Sequence, residues 1–161
     1  MTYDILNAAD HVHRNQACPL IIRDQLMMAF HSKSLSKRMQ ALGDAVDIEV
    51  LEMAYDAKHD LYFRDVAVCR NQSRYIIART SIPSNSYRFF EQSFSITNQF
   101  PLGYFLFFGK GNIRTTFKVE LSHTPPTWFL KDYPDTSFVI LRRSRWQMNQ
   151  HYHLDLEEVL I

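Results

Sequence analysis

The spacing of apolar residues along the first part of the chain predicts helices. Residues 19–31 carry apolar side chains at helical spacing, behind a proline that suits a first turn. Ser34 is placed to cap a short amphipathic helix over residues 35–42. Gly43 then occupies the position where a left-handed residue ends a helix. Two helices are therefore expected before the sheet begins.

From residue 46 onward the apolar residues recur at every second position, which predicts strands. Apolar and acidic residues alternate from Val46 to Val50, as in a half-buried strand. Residues 61–70 and 74–82 flank a turn over residues 71–73 and are expected to form a hairpin at the centre of the sheet. Further strands are predicted over residues 113–121, 137–147 and 151–160.

Two segments interrupt the strand pattern. A short helix is predicted around Phe89, Phe90 and Phe94, and Pro101-Leu102-Gly103 is expected to break the chain at a loop rim. Residues 122–136 hold three prolines and are expected to form a long surface loop or a lid. Early helices and consecutive strands indicate an α+β fold, with a single antiparallel sheet of about six strands and helices packed on it.

The composition indicates one folded domain in a reducing compartment. The chain has 161 residues, a net charge of +1 and 46% hydrophobic residues, which suits a single domain with a filled core. Cys18 and Cys69 are too few for a disulfide framework. We expect residues 1–161 to form a single cytoplasmic domain, with residues 1–18 as a flexible N-terminal extension. The near-neutral charge and short apolar runs argue against nucleic-acid binding and membrane insertion.

Three ionisable side chains fall on apolar strand faces. Alternation groups Arg64 with two valines, and Glu158 with the leucines of the last strand. It groups Arg79 with Tyr75 and Ile77. A charge in such a place must be paired or must await a ligand. From periodicity alone, a buried salt bridge among these groups, or bulges that turn them outward, explains the pattern as well as a binding site does.

Short blocks of sequence, taken together, suggest one family. They are Leu35–Arg38 with Gly43, Arg64 with Cys69, Arg79–Thr80 with Pro83, Pro101–Gly103 with Phe105–Phe107, Arg142–Arg145, and Glu158–Leu160. Each block is common by itself. In their order and intervals, however, they resemble the chorismate pyruvate-lyase family from about residue 20 onward.

The resemblance implies a cofactor-free elimination on a chorismate lyase-like domain. Chorismate lyases split chorismate into 4-hydroxybenzoate and pyruvate, which supplies the aromatic head group of ubiquinone. Such a reaction demands neither metal nor cofactor. The expected partners are the substrate chorismate and its aromatic product, bound by a monomer.

The resemblance also implies roles for five positions. Arg64 would hold the ring carboxylate, and Glu158 would be the acid beside the ring hydroxyl. The backbone at Leu102 would supply an amide contact, and Leu35 would form an apolar pocket wall where the family commonly has methionine. Arg79 would serve the enolpyruvyl carboxylate or the anion route, or would instead be a structural partner inside the sheet.

The chain departs from the family pattern in two regions and leaves one assignment open. The connection before Arg64 is short, and the Pro-rich segment between Glu120 and Arg142 is expanded; both are expected around the mouth of the site. An alignment without gaps from Arg142 favours Glu157 as the site acid, whereas the leucine face and the local spelling favour Glu158. We assign the role to Glu158.

Other chemical signals have simpler explanations. The pairs His11 with His13 and His151 with His153 could bind a metal only if further ligands converged. Cys69 is more simply a small buried hydrophobic residue than a nucleophile. Two alternatives to the lyase remain open. One is a non-catalytic, ligand-sensing module of the same fold that binds aromatic acids, and the other is a related lyase that makes another hydroxybenzoate.

Overall fold

The computed structural model describes residues 28–29, 32, 34–97, 102–108, 111–148 and 150–161. The strands are β1 (Val46–Asp56), β2 (Leu61–Arg70), β3 (Ser73–Pro83), β4 (Asn112–Ser122), β5 (Val139–Met148) and β6 (Tyr152–Leu160). The helices are α1 (Leu35–Ala41), α2 (Ser84–Thr97), α3 (Leu102–Phe108) and α4 (Thr127–Leu130). Positions 1–18, Pro101 and most of the predicted helix over 19–31 lie outside the described residues.

The six strands form one antiparallel sheet in the order β1-β2-β3-β6-β5-β4, which confirms the predicted α+β class. Two three-stranded meanders meet where β6 pairs with β3. The centre is therefore β3 and β6, and the predicted central position of the β2–β3 hairpin is wrong for β2. The hairpin itself is present, and its turn residues Asn71 and Gln72 have φ of 49° and 69°, as a two-residue turn requires.

The predicted caps of α1 are confirmed. The Ser34 side chain accepts a hydrogen bond from the Lys37 amide, and Gly43 has φ of 86°. The predicted loop rim is wrong, because Leu102 and Gly103 form the first turn of α3 instead. A proline just before a helix is as compatible with its first turn as with a break, so composition could not separate the two.

The central strands of the sheet are buried on both faces. We call the side covered by α1, α2 and α3 the front face; its core includes the buried side chains Leu35, Met39, Phe90 and Leu106. On the opposite side, the back face, Trp128 and Phe129 of α4 pack over Ala67, Ile77, Leu141 and Val159. None of the described helices combines the length and the apolar character needed to cross a lipid bilayer.

The Pro-rich segment is therefore a cover for the back face. Trp128 and Phe129 are buried, and the Phe129 ring stacks on Tyr133 with centroids 4.7 Å apart. Residues 122–136 form a surface loop around the short helix α4, but the expectation of a lid around the mouth of the site is wrong, because the segment covers the opposite face of the sheet. The prolines indicated irregular backbone correctly, but two aromatic anchors attach that backbone to the sheet.

A charge pair lies on the back face between β2 and β3. Arg79 donates two hydrogen bonds to the Asp65 carboxylate, at 2.7 and 2.6 Å. The Arg79 guanidinium carbon also lies 4.2 Å from the Phe63 ring centroid and 5.1 Å from that of Trp128. Aromatic rings exclude water from the pair, so its two charges depend on each other.

We expect Asp65→Ala to lower the free energy of unfolding by about 3 kcal/mol, because it leaves a largely buried guanidinium without its carboxylate. Asp155→Ala is the matched control. Asp155 accepts the same two-bond contact from Arg145 in an exposed position, so its loss should cost roughly 0–1 kcal/mol. Urea titrations measure both values, and equal losses would contradict the role assigned to burial.

Candidate functional site

A small, partly open cavity lies between the front face and the helices α1 and α3. Its volume is about 40 Å³. Three charged side chains line it, namely Arg64 of β2, Arg142 of β5 and Glu158 of β6. In each of the three strands, the residues two positions away from the charged residue also face the front. Because side chains alternate along a strand, all three charged side chains point toward the same space. The remaining wall is largely apolar, with Val66, Ile76, Leu106, Trp146 and Leu156.

The charges of the cavity are deeply buried. Arg64 and Arg142 are each 3% exposed. Arg142 and Glu158 are directly opposite across β5 and β6, and Arg142 Nε lies 3.2 Å from Glu158 Oε2. Burial lowers the pKa of the Arg64 guanidinium from its usual range. Because arginine keeps its proton in proteins, this burial is a cost that a bound anion would relieve.

Close approach of α3 to α1 forms the polar end of the cavity. A Cβ atom at Gly103 would lie 3.0 Å from the Ser34 Oγ, so only glycine fits without displacing that hydroxyl. The Ser34 and Ser36 hydroxyls are 3.2 Å apart and line the cavity together with Leu102. This end offers hydroxyl groups and backbone beside the buried arginines.

An outer pocket of about 270 Å³ adjoins the cavity. Arg64 and Thr80 line both spaces. Tyr62 and Tyr87 form part of its wall, with ring centroids 3.7 Å apart. Pockets for small organic ligands usually measure roughly 300–1,000 Å³, so a ring-sized ligand requires the inner cavity to widen toward this pocket.

The structure brings most of the predicted site residues together. Arg64, Glu158 and Leu102 line the cavity, and Leu35 is buried behind that wall in the same core cluster as Val66. Arg79 lies on the back face, bound to Asp65, and does not reach the cavity. The predicted grouping of Arg79 with Tyr75 is wrong, because the β2–β3 register shifts between Val68 and Cys69 and Tyr75 packs on the front core.

The two neighbouring glutamates of β6 point to opposite faces. Glu158 faces the cavity and pairs with Arg142. Glu157 faces the back, where its carboxylate accepts hydrogen bonds from Trp128 Nε1 at 2.8 Å and Arg143 Nε at 2.7 Å. The geometry therefore agrees with the parity argument made for Glu158.

Sequence reasoning missed Arg142 as a cavity residue. It used Arg142–Arg145 only as a family marker, although the strand pattern held the signal. Ile140, Arg142, Ser144 and Trp146 alternate along β5 and are all buried on the front face. A charged residue among these alternating buried positions is as strong a signal for a site as Arg64. The neighbouring arginines at 143 and 145 made this signal harder to recognise in the sequence.

The other chemical candidates lie away from the cavity. Cys69 packs in the back-face cluster, and burial, followed by the charge of Glu49, raises the pKa of its thiol. A raised pKa disfavours the reactive thiolate. His11 and His13 lie outside the described residues. Within the part of the chain that the structure describes, His, Cys, Asp and Glu form no group of three or more suited to a metal ion.

Comparison with known proteins extends the fold assignment. No family model matches the chain, and no curated protein matches it. Solved structures do match. The effector domain of PhnF from Mycobacterium smegmatis aligns with a TM-score of 0.55 at 12% identity, over 79% of this chain and 87% of that one. The chain has a chorismate lyase-like fold.

Two further solved structures align with the chain. PhnF from Mycobacterium smegmatis aligns with a TM-score of 0.56 at 12% identity, over 80% of this chain and 64% of that one. A GntR-family transcriptional regulator from Bacillus cereus aligns with a TM-score of 0.49 at 12% identity, over 71% of this chain and 90% of that one. At 12% identity the likeness to PhnF shows a shared fold.

We expect Arg64→Met to cost less free energy of unfolding than Arg79→Met, because it also removes the desolvation cost of a buried guanidinium. Arg79→Met is the matched control. It strips Asp65 of its partner and should destabilise by about 3 kcal/mol. Urea titration separates the cases. A comparable loss in Arg64→Met would mean that Arg64 serves the fold and not a ligand.

Proposed function

We propose that this protein is a chorismate pyruvate-lyase that converts chorismate into 4-hydroxybenzoate and pyruvate. The observation that carries the proposal is that Arg64 and Glu158 line one small, largely apolar cavity. Those are the two residues to which the family resemblance assigns the ring carboxylate and the ring hydroxyl. Leu102 borders the same space.

The reaction suits such a cavity because it needs orientation more than chemical activation. The ring carbon that bears the hydroxyl loses its hydrogen, and the neighbouring carbon releases the enolpyruvyl oxygen. The ring becomes aromatic, and the departing enol gains a proton to form pyruvate. Arg64 would hold the ring carboxylate in a fixed plane, while the Glu158 carboxylate assists removal of the ring hydrogen. Exclusion of water strengthens both contacts.

A second candidate is a non-catalytic module that binds an aromatic acid. The similar solved structures favour it, because one of them is an effector domain. Arg64 and the Arg142–Glu158 pair would suit recognition of a carboxylate and a hydroxyl equally well. The two candidates share a ligand chemistry and differ only in turnover.

The deciding experiment is incubation of the purified protein with chorismate, followed by chromatographic identification of the products. Equal amounts of 4-hydroxybenzoate and pyruvate, formed above the rate of a protein-free control, support the lyase. Another hydroxybenzoate indicates a related lyase. Binding of chorismate and 4-hydroxybenzoate in calorimetry without turnover supports the binding module, and absence of both binding and turnover contradicts both candidates.

We expect Glu158→Gln to lower kcat by about 100-fold or more, because it removes the proton-accepting carboxylate from the cavity. Glu157→Gln is a matched neighbour that faces the back, and we expect it to keep kcat within about threefold of wild type. Both variants are checked for wild-type circular dichroism. A loss of turnover confined to Glu157→Gln would contradict the assignment of the site acid.

A further inference from the structure

The edge strand β4 contains a bulge that turns an arginine toward the front face. Arg114 pairs with Trp146 and Thr116 pairs with Arg145, so Thr115 is an extra residue in β4. With an undisturbed period of two, Arg114 and Phe117 would face opposite sides of the sheet. The bulge sends both to the front, which is one of the ways in which bulges re-aim side chains.

Two guanidinium groups gather around the ring of Phe117 as a result. The Arg114 guanidinium carbon lies 4.1 Å from the ring centroid, and that of Arg142 lies 4.9 Å from it. Arg114 also lies 5.8 Å from the Trp146 ring centroid, and Trp146 lines the cavity. Like charges are thus brought close together beside the cavity.

The charges of this group act on one another. Burial, followed by the positive charge of Arg142, lowers the pKa of Arg114, and the charge of Glu158 raises it. The Glu158 carboxylate pairs with Arg142, and its charge also acts on Arg114. Arginines gathered beside aromatic rings are suited to hold a carboxylate.

We propose that Arg114 and Arg142 form a second anion subsite, which receives the enolpyruvyl carboxylate of chorismate. This inference rests on the proposed function. The strand order puts Glu158 on β6 between Arg64 on β2 and the two arginines on β5 and β4. Strands are spaced by roughly 4.8 Å, so a ligand along this row would meet Arg64 at one end and the subsite at the other.

The subsite separates the substrate from the aromatic product by charge. Chorismate carries two carboxylates, whereas 4-hydroxybenzoate keeps only the ring carboxylate. The carboxylate of the product would therefore engage only Arg64. The product would no longer occupy the subsite after pyruvate departs. Arg79, the sequence-based candidate for the second carboxylate, is bound to Asp65 on the back face and cannot take this part.

The test compares two ligands in Arg114→Met. We expect the KM for chorismate to rise by about tenfold or more, the usual effect of losing a contact to a charged group. The Kd for 4-hydroxybenzoate, measured by calorimetry, should stay within about twofold of wild type. Arg114→Lys should recover part of the chorismate affinity. Arg145→Met is the control: Arg145 is exposed, bound to Asp155, and its loss should alter neither constant.

The possible outcomes distinguish the subsite from the reaction. Equal changes for both ligands in Arg114→Met, or an unchanged KM for chorismate, would overturn the subsite. If the wild type binds chorismate without turnover, the comparison is made with the Kd of chorismate. A selective loss then supports the subsite while the lyase fails. A wild type that binds neither ligand overturns both.

Discussion

The position of β6 between β3 and β5 is the constraint on which the other features depend. Pairing on both sides joins two local meanders into one sheet and holds β6 in a single register. Because side chains alternate along a strand, that register sends Glu158 to the front and Glu157 to the back. A shift by one residue would exchange their surroundings and remove the carboxylate from the cavity.

The two faces use charge in different ways. On the back, Asp65 meets Arg79, and Glu157 accepts hydrogen bonds from Trp128 and Arg143. These contacts hold the α4 segment to the sheet. On the front, arginines are buried around a space that a ligand could fill. Burial of charge carries a desolvation cost, and folded proteins commonly tolerate such a cost where a ligand binds.

Helix packing and a shared side chain border the cavity. The close approach at Gly103 brings α3 against α1 at its polar end. Arg64 lines both the small inner cavity and the tyrosine-lined outer pocket. A carboxylate in either space would therefore lie beside Arg64. This arrangement would suit an enzyme that admits a substrate and a module that senses one.

Local sequence determined much of the fold because caps, turns and strand alternation act between near neighbours. Ser34 and Gly43 mark the two ends of α1. The alternation of side chains around Arg64 and Glu158 identified two front-face charges. Asn71 and Gln72 form the hairpin turn. The α3 helix at Leu102 escaped detection, because the same residues suit a break or a helix start.

Only the tertiary structure decided which strands meet and which charges share a space. The central place of β6, the packing of Trp128 on the back face and the separation of Arg79 from the cavity all depend on contacts between residues far apart in the chain. The bulge at Thr115 likewise arises from how β4 pairs with β5. The sequence by itself determined most of the elements and, away from the bulges, the face to which each strand side chain points, because both depend on local backbone geometry. Partners across strands were decided by pairing and packing, which no local pattern specifies.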